Sequence, residues 1–146
     1  MTTVNWTQLS AQATERALRD DGAIYLDVRT EKEFNLGHVE GAYNVPWLIG
    51  GQPNPAFLDV LARVWPRDQY VIVGCRTGNR SAQACTAMQA AGWSRVAEQH
   101  GGWDGKRDAF GQVLEPGWQA AGLPTATQPQ SGRSYGELAA RGSKQP

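Results

Sequence analysis

The chain has 146 residues, 40% of them hydrophobic and 19% charged, and its 14 basic residues balance 14 acidic ones. These values are typical of one globular domain with a real core, and the zero net charge argues against a general attraction to nucleic acid or to an anionic membrane. No apolar run approaches the ~20 residues that span a bilayer, and no secretory signal pattern opens the chain, so we expect a cytoplasmic protein.

The first half of the chain predicts alternating strands and helices. A short strand is expected at 4–6, and Ser10 is placed to cap the helix that follows. The apolar run "AIYLDV" at 23–28 indicates a buried strand. Thr30 and Glu33 have the spacing of a capping box, which predicts that the short segment "EKEFNL" is helical.

The second half continues this alternation. "GAYNVP" indicates a strand, and Asn54 followed by Pro55 predicts the start of a helix. The β-branched run "YVIVG" at 70–74 is typical of a strand covered on both faces, and it precedes a helix at about 81–91 and a strand at 96–97. The pattern predicts an α/β fold of three layers, a central, mainly parallel sheet flanked by helices.

The composition changes after residue 123, where Pro, Gly and polar residues replace the apolar pattern. We therefore expect one domain at 1–123 and a flexible C-terminal tail at 124–146. Ser134 and Glu137 nevertheless form a second capping box, which predicts a short helix at 135–141 within this tail. The segment "PGWQAAGLP", just before the tail, predicts one further short helix.

Two cysteines are too few for a disulfide framework. Cys85 falls within a predicted helix, one turn beyond its start, and we expect it to point into the core as an inert thiol. Cys75 lies instead between the predicted strand at 70–74 and that helix. We interpret both as free thiols in a reducing compartment.

The residues after Cys75 favour a reactive thiol. A short loop joining a strand to a helix leaves backbone N–H groups without ladder partners, and Gly78 and Asn79 tolerate the dihedral angles of a tight loop. The helix N-terminus contributes roughly half a positive charge, and Arg76 and Arg80 contribute two full ones. This cradle of donors favours the Cys75 thiolate and any anionic substrate that it attacks.

The size of this loop distinguishes two chemistries. Cysteine phosphatases place five residues between the cysteine and the arginine, enough for a tetrahedral group, whereas four residues separate Cys75 from Arg80. The smaller loop fits one extra sulfur atom, which predicts a persulfide on Cys75. A phosphatase or arsenate reductase is the less favoured alternative.

Three blocks of the sequence resemble the single-domain rhodanese family of thiosulfate sulfurtransferases. "CRTGNRS" resembles the family's six-residue active loop, "YLDVRTEKEFNLGHVEGAYNVP" resembles its upstream block, and "HGGW" resembles its downstream Gly-Gly turn. The resemblance extends over about residues 4–123. The segment at 104–117 is longer than the family's minimal pattern and receives no assignment.

The resemblance implies a ping-pong cycle in which Cys75 takes sulfur from thiosulfate and passes it to cyanide or a thiol. No metal or organic cofactor is implied, because the persulfide carries the sulfur, and two histidines are too few for a metal site. The expected substrate-binding residues form the cradle: Arg76, Thr77, Gly78, Asn79, Arg80 and Ser81.

Other polar residues have both a functional and a structural interpretation. Asp27 and Arg29 follow a strand whose end should face the same edge as Cys75, so they either support the active loop or form a structural salt bridge. His38 is expected to stabilise a turn. His100 is expected to be an ordinary loop residue rather than part of the site.

Two hypotheses about partners stay open beside the enzyme. The domain is either a relay that passes persulfide sulfur to an accepting protein or a binding module without catalysis. Trp47 and Trp103 are candidates for the rim of a pocket, although most tryptophans anchor a core. The Gly- and Pro-rich segment 48–55 and the tail are the expected contact regions for a partner protein.

Overall fold

The computed structural model describes residues 6–141. Its elements in chain order are β1 (Thr7–Leu9), α1 (Ala11–Asp20), β2 (Ile24–Asp27), α2 (Glu31–Leu36), β3 (His38–Val39), β4 (Tyr43–Asn44), β5 (Leu48–Ile49), β6 (Gln52–Pro53), α3 (Phe57–Val64), β7 (Val71–Gly74), α4 (Asn79–Ala90), β8 (Val96–Gln99), β9 (Lys106–Arg107), β10 (Val113–Glu115), β11 (Thr125–Ala126) and α5 (Tyr135–Ala140). Each helix in this part of the chain is too short or too polar to span a lipid bilayer.

Five strands form a parallel central sheet in the order β1-β8-β7-β2-β4. Strand β7 lies at its centre, with Gly74 opposite Asp27 of β2 and Val73 opposite Glu98 of β8. Because all strands of a parallel sheet end at one edge, this register brings the residues after β2, β7 and β8 together. The predicted α/β fold is confirmed.

Side chains alternate between the two faces of the sheet, as the period of two along a strand requires. On β7, Val71 and Val73 pack with α3, α4 and α5, whereas Ile72 packs on the opposite face with residues of α1 and α2. The two apolar clusters cover both faces. This explains why "YVIVG" is apolar without interruption.

Side chains cap the first two helices as predicted. Ser10 accepts a hydrogen bond from the Ala13 amide at the start of α1, and Thr30 and Glu33 form the complete capping box of α2. Helix α3 differs, because its N-cap is Ala56 and no side chain caps it. The Asn54 side chain instead accepts from the Ala56 amide, inside the preceding turn.

As far as residue 141, the C-terminal segment packs on the domain, where the composition predicted a flexible tail. Strand β11 pairs antiparallel with β3, and α5 begins at Ser134, which accepts from the Glu137 amide. Leu138 of this helix is 0% exposed and packs in the cluster that includes α3 and α4. The helix predicted at 135–141 is therefore present, and its one buried leucine is enough to dock it.

Several shorter segments also differ from the predictions. The first strand is β1, at Thr7–Leu9, and residues 4 and 5 of the predicted strand lie outside the described residues. The unassigned segment at 104–117 holds the antiparallel pair β9 and β10. The prediction of a helix in "PGWQAAGLP" is wrong, because this segment forms turns around the buried Trp118.

Candidate functional site

The loop after β7 is shorter than the sequence predicts. Helix α4 begins at Asn79, two residues before the predicted start, with Gly78 as its N-cap at φ 105°. This left-handed conformation is one that glycine adopts without steric cost. The early start places the unpaired amides of the first helical turn, and the positive end of α4, directly beside Cys75.

The sulfur of Cys75 faces the inside of this loop. It accepts a hydrogen bond from the Gly78 amide at 3.1 Å, and its thiol donates to the Ser81 hydroxyl at 3.3 Å. Cys75 is 2% exposed, so access to the sulfur is narrow. A backbone amide directed at the sulfur stabilises its anionic form more than its neutral form.

Cys85 is the second free thiol of the described chain, and the structure places it in the core as predicted. Its sulfur lies 3.8 Å from the Ala97 carbonyl oxygen. Burial, and secondarily the charge of Glu98, raise the pKa of the Cys85 thiol well above its usual value. This thiol is therefore protonated and unreactive at neutral pH.

Arg80 is held by Glu33 of helix α2. Its two terminal nitrogens donate to the two carboxylate oxygens at 2.7 and 3.0 Å. The Arg80 guanidinium, together with donors from Thr30, lowers the pKa of Glu33 to about 2. Arg80 thus ties the start of α4 to α2. Its carboxylate partner was not identified from the sequence, where Glu33 appeared only as a capping residue.

Arg76 is an exposed residue of the loop and forms an ion pair with Asp104. Its side chain is 62% exposed, and it lines a cleft of about 330 Å³ with Arg29, Glu33 and Trp103. Thr77 and Asn79 were also predicted to bind substrate. Thr77 lies in the loop and Asn79 at the first position of α4, and both are exposed.

The Gly-Gly turn holds the active loop from the other side. The amides of Trp103 and Asp104 donate to the carbonyls of Cys75 and Arg76 at 2.8 and 2.9 Å. A Cβ on Gly102 would lie 2.5 Å from the Cys75 carbonyl oxygen, and Gly102 has φ +63°. This close backbone approach, together with the positive φ, explains the need for glycine here.

Asp27 and Arg29 form a buried pair beside the loop. Arg29 donates to the Asp27 carboxylate at 2.8 Å and to the Gly37 carbonyl at 2.6 Å, and its guanidinium stacks on Trp103. Among the described residues, these bonds do not reach the active loop directly. The pair positions the turn after α2 and the indole of Trp103, which agrees with the structural interpretation.

The two histidines have different surroundings. His38 Nδ1 lies 2.7 Å from the Phe34 carbonyl oxygen, and its ring stacks on Phe34, so its turn-stabilising role is confirmed. His100 was expected to be an ordinary loop residue. Its Nδ1 instead lies 3.2 Å from a carboxylate oxygen of Glu98, which connects it with the site.

Glu98 is the main site residue that sequence reasoning missed. It is 1% exposed, and its carboxylate accepts a 2.6 Å hydrogen bond from the Ser81 hydroxyl, which also contacts Cys75. The available signal was an acidic residue inside the strand "VAEQ", whose four residues are all buried. Buried carboxylates are rare unless they are paired or functional.

The two tryptophans proposed for a pocket rim are half-buried. Trp103 lines the cleft beside Arg76. Trp47 packs edge-on against Phe57, and its indole N–H donates to the Gln83 side chain at 2.8 Å on the outer face of α4. Trp47 therefore lies on a different surface from the one that Trp103 forms.

Comparison with known proteins agrees with this architecture. The family model described as "Rhodanese-like domain" matches residues 10–109. The chain is 38% identical over 100 residues to the protein HIGH ARSENIC CONTENT 1 of Arabidopsis thaliana, covering 66% of this chain and 59% of that protein. It is 37% identical over 108 residues to the thiosulfate sulfurtransferase 16 of the same plant, covering 71% and 80% of the two chains.

A solved structure supports the same fold. The Rv0390 protein of M. tuberculosis superposes with a TM-score of 0.69 at 31% identity, covering 84% of this chain and 98% of that one. A parallel sheet whose central strand leads into a cysteine loop and a helix, together with these relatives, identifies an α/β domain of the sulfurtransferase class. The chain belongs to the rhodanese-like domain family.

Proposed function

We propose that this protein transfers sulfane sulfur from thiosulfate to a small acceptor through a persulfide on Cys75. The observation that carries the proposal is the position of the Cys75 sulfur, 3.1 Å from the Gly78 amide at the N-terminus of α4. A sulfur in this position is favoured as an anion, and the same donors suit the outer sulfur of a persulfide.

The reaction needs two displacements at sulfur. The Cys75 thiolate attacks the outer sulfur of thiosulfate, a new S–S bond forms, and the old S–S bond breaks as sulfite leaves with the electron pair. In the second step, cyanide or a thiolate attacks the outer sulfur of the persulfide, and Cys75 leaves as a thiolate. The electrons balance within each step, so the proposal requires neither a metal nor an organic cofactor.

Two cations lie at the outer side of the loop, where a dianionic donor would arrive. Arg76 is one of them, although its charge is partly compensated by Asp104. Lys106 of β9 is the other, because a Cβ on Gly78 would lie 3.4 Å from its Nζ. Among residues 6–141, Lys106 has no ion-pair partner within 4.0 Å, so its charge is available to an anion.

The names of the relatives favour thiosulfate but also raise a second candidate. One relative is named a thiosulfate sulfurtransferase, whereas another is named for arsenic content. We therefore keep arsenate, a tetrahedral oxyanion, as the second candidate substrate. Four residues between Cys75 and Arg80 make the loop small for it. Arsenate-dependent oxidation of an added thiol would measure that activity directly.

The decisive experiment is mass spectrometry of the intact protein after treatment with thiosulfate. We expect a mass gain of one sulfur atom on the peptide that contains Cys75 and its removal by cyanide. Cys75→Ser abolishes the gain, whereas Cys85→Ser, which changes the buried thiol, retains it. A protein that gains no sulfur, or that gains it on Cys85, contradicts the proposal.

A further inference from the structure

A line of buried polar groups leads from Cys75 to the surface. The Cys75 thiol contacts the Ser81 hydroxyl at 3.3 Å, and Ser81 contacts Glu98 Oε2 at 2.6 Å. Glu98 Oε1 lies 3.2 Å from His100 Nδ1, and the His100 side chain is 26% exposed. The line therefore joins a nearly buried thiol to solvent through a fully buried carboxylate.

The hydrogen bonds have a defined direction. Ser81 has one hydroxyl proton and two acceptors within reach, the Glu98 carboxylate at 2.6 Å and the Gly78 carbonyl at 3.2 Å. The shorter, charge-assisted bond takes the proton. Ser81 Oγ is then free to accept the thiol proton of Cys75, which is the arrangement that a proton relay requires.

We propose that Glu98 is the internal base that deprotonates Cys75, acting through Ser81. The proposal rests on the sulfur-transfer function inferred above. The proton of Cys75 passes to Ser81 Oγ while the Ser81 proton passes to Glu98 Oε2. The products are a Cys75 thiolate, a Ser81 hydroxyl that now donates to the sulfur, and a neutral Glu98 carboxylic acid.

Charge explains why such a relay suits this site. A buried Glu98 carboxylate and a Cys75 thiolate would repel one another, and thiosulfate would bring two more negative charges. Moving the proton from Cys75 to Glu98 keeps a single negative charge on the pair. That charge then lies at the sulfur, beside the Gly78 amide and the positive end of α4, where the site stabilises it.

The neighbouring titratable groups do not replace Glu98 as the base. Burial raises the pKa of Tyr25 on β2 and of Cys85 on α4 well above their usual values, so both stay protonated. Gln8 of β1 lies 3.4 Å from Glu98 Oε1 and does not titrate, and Arg80 is paired with Glu33. His100 shares the carboxylate and provides the exchange route to solvent.

The same proton serves the second half of the cycle. When the acceptor takes the outer sulfur, Cys75 leaves as a thiolate, and Glu98 returns its proton through Ser81 to that sulfur. Glu98 thus acts as a base in the first displacement and as an acid in the second, and the resting state is restored without solvent entering the loop.

The test measures the alkylation rate of Cys75 by iodoacetamide as a function of pH, quantified on the Cys75 peptide. Two coupled groups that share a proton titrate in two steps. We expect the wild-type reactivity to rise in two steps separated by a plateau, the second step occurring where both groups ionise. Glu98→Gln keeps an acceptor for Ser81 but cannot take its proton, so a single step remains.

Two further variants complete the experiment. Ser81→Ala breaks the line while Glu98 stays charged, so it also gives a single step, at a higher pH than in Glu98→Gln. This variant serves as the test if Glu98→Gln does not fold, as judged by circular dichroism. Gln8→Ala removes an exposed neighbour of Glu98 outside the line and retains both steps.

The outcomes separate this proposal from the proposed function. A wild-type profile with one step, or two steps that survive in Glu98→Gln, overturns the relay. Neither result requires sulfur transfer, because iodoacetamide needs only a reactive thiol. If the two-step profile is found but thiosulfate leaves no sulfur on Cys75, the relay stands and the assigned donor is wrong.

Discussion

Arg80 and Glu33 join helices α4 and α2 through two hydrogen bonds of 2.7 and 3.0 Å. The pair lies beside the start of α4, so it positions the amides that face Cys75. Arg80 is therefore expected to act by holding the loop in place, whereas Arg76, which is exposed and, within the described chain, paired only with Asp104, is expected to contact the substrate. This difference leads to separate predictions for the two arginines.

The Arg80–Glu33 pair makes stability depend on acid pH. The pKa of Glu33 in the folded protein is about 2, below its ordinary value of 4.5. Because the folded state lowers this pKa, the stabilisation is complete above pH 4.5 and is lost as the pH falls from 4.5 to 2. We expect a loss of about 1–2 kcal/mol after allowance for solvent screening.

Denaturant titrations at a series of pH values measure this loss, with Glu33→Gln as the comparison. The variant lacks the carboxylate, so its free energy of unfolding should fall less between pH 4.5 and 2. Equal pH dependence in both proteins would show that Glu33 is not the responsible group.

Arg80→Ala is expected to reduce the kcat of sulfur transfer by ~10-fold or more, because the loop loses its attachment to α2. Arg76→Ala is expected mainly to raise the KM for thiosulfate, by ~3- to 10-fold, because an exposed cation contributes binding and little else. Steady-state kinetics separate the two effects.

Asp104→Asn is the control for Arg76, because it removes the ion-pair partner and keeps the cation. The KM for thiosulfate should not rise in this variant. If Arg76→Ala and Arg80→Ala both leave kcat and KM nearly unchanged, neither arginine takes part in sulfur transfer.

Gly102→Ala should disturb the active loop. The new Cβ would lie 2.5 Å from the Cys75 carbonyl oxygen and 2.7 Å from that of Arg76, so the loop backbone must shift. We expect a destabilisation of about 2–4 kcal/mol and a large loss of persulfide formation.

Gly111→Ala is the matched control for backbone strain. Gly111 has φ +82°, similar to the +63° of Gly102, but a Cβ added to it would meet no neighbouring atom within 4 Å. The Gly111→Ala variant should lose stability through backbone strain alone and keep its sulfur-transfer activity. If both variants lose activity to the same extent, the close approach to the loop is not the cause.

Leu138→Ala should destabilise the whole domain, although Leu138 lies beyond the region that the family model matches. This side chain is 0% exposed among α3, α4 and the sheet, and its truncation leaves a cavity. We expect a loss of about 2–4 kcal/mol in the free energy of unfolding. Leu114→Ala, at an exposed position of β10, should change it by less than ~0.5 kcal/mol.

Local sequence patterns were enough to predict much of the fold. The capping box of Thr30 and Glu33 acts within one helical turn, and so does the cap formed by Ser134, so both could be predicted without the rest of the chain. The same holds for the Cys75 loop, whose residues are consecutive.

Contacts between distant residues could not be predicted in this way. The pairs Arg80–Glu33 and Arg76–Asp104 join residues 47 and 28 positions apart. Whether α5 docks could not be decided from the sequence for a related reason: one buried leucine in a polar segment has no periodic pattern. Such contacts depend on which surfaces the fold brings together.

The sequence by itself determined the α/β class, the position of the Cys75 loop between a strand and a helix, and the family that the chain resembles, because these depend on patterns of neighbouring residues. Only the tertiary structure decided which groups surround the Cys75 sulfur. Glu98 enters the site because β8 pairs with β7 and its side chain faces α4, where Ser81 lies. Strand order and the face of the sheet set that contact, and neither is written in the local sequence.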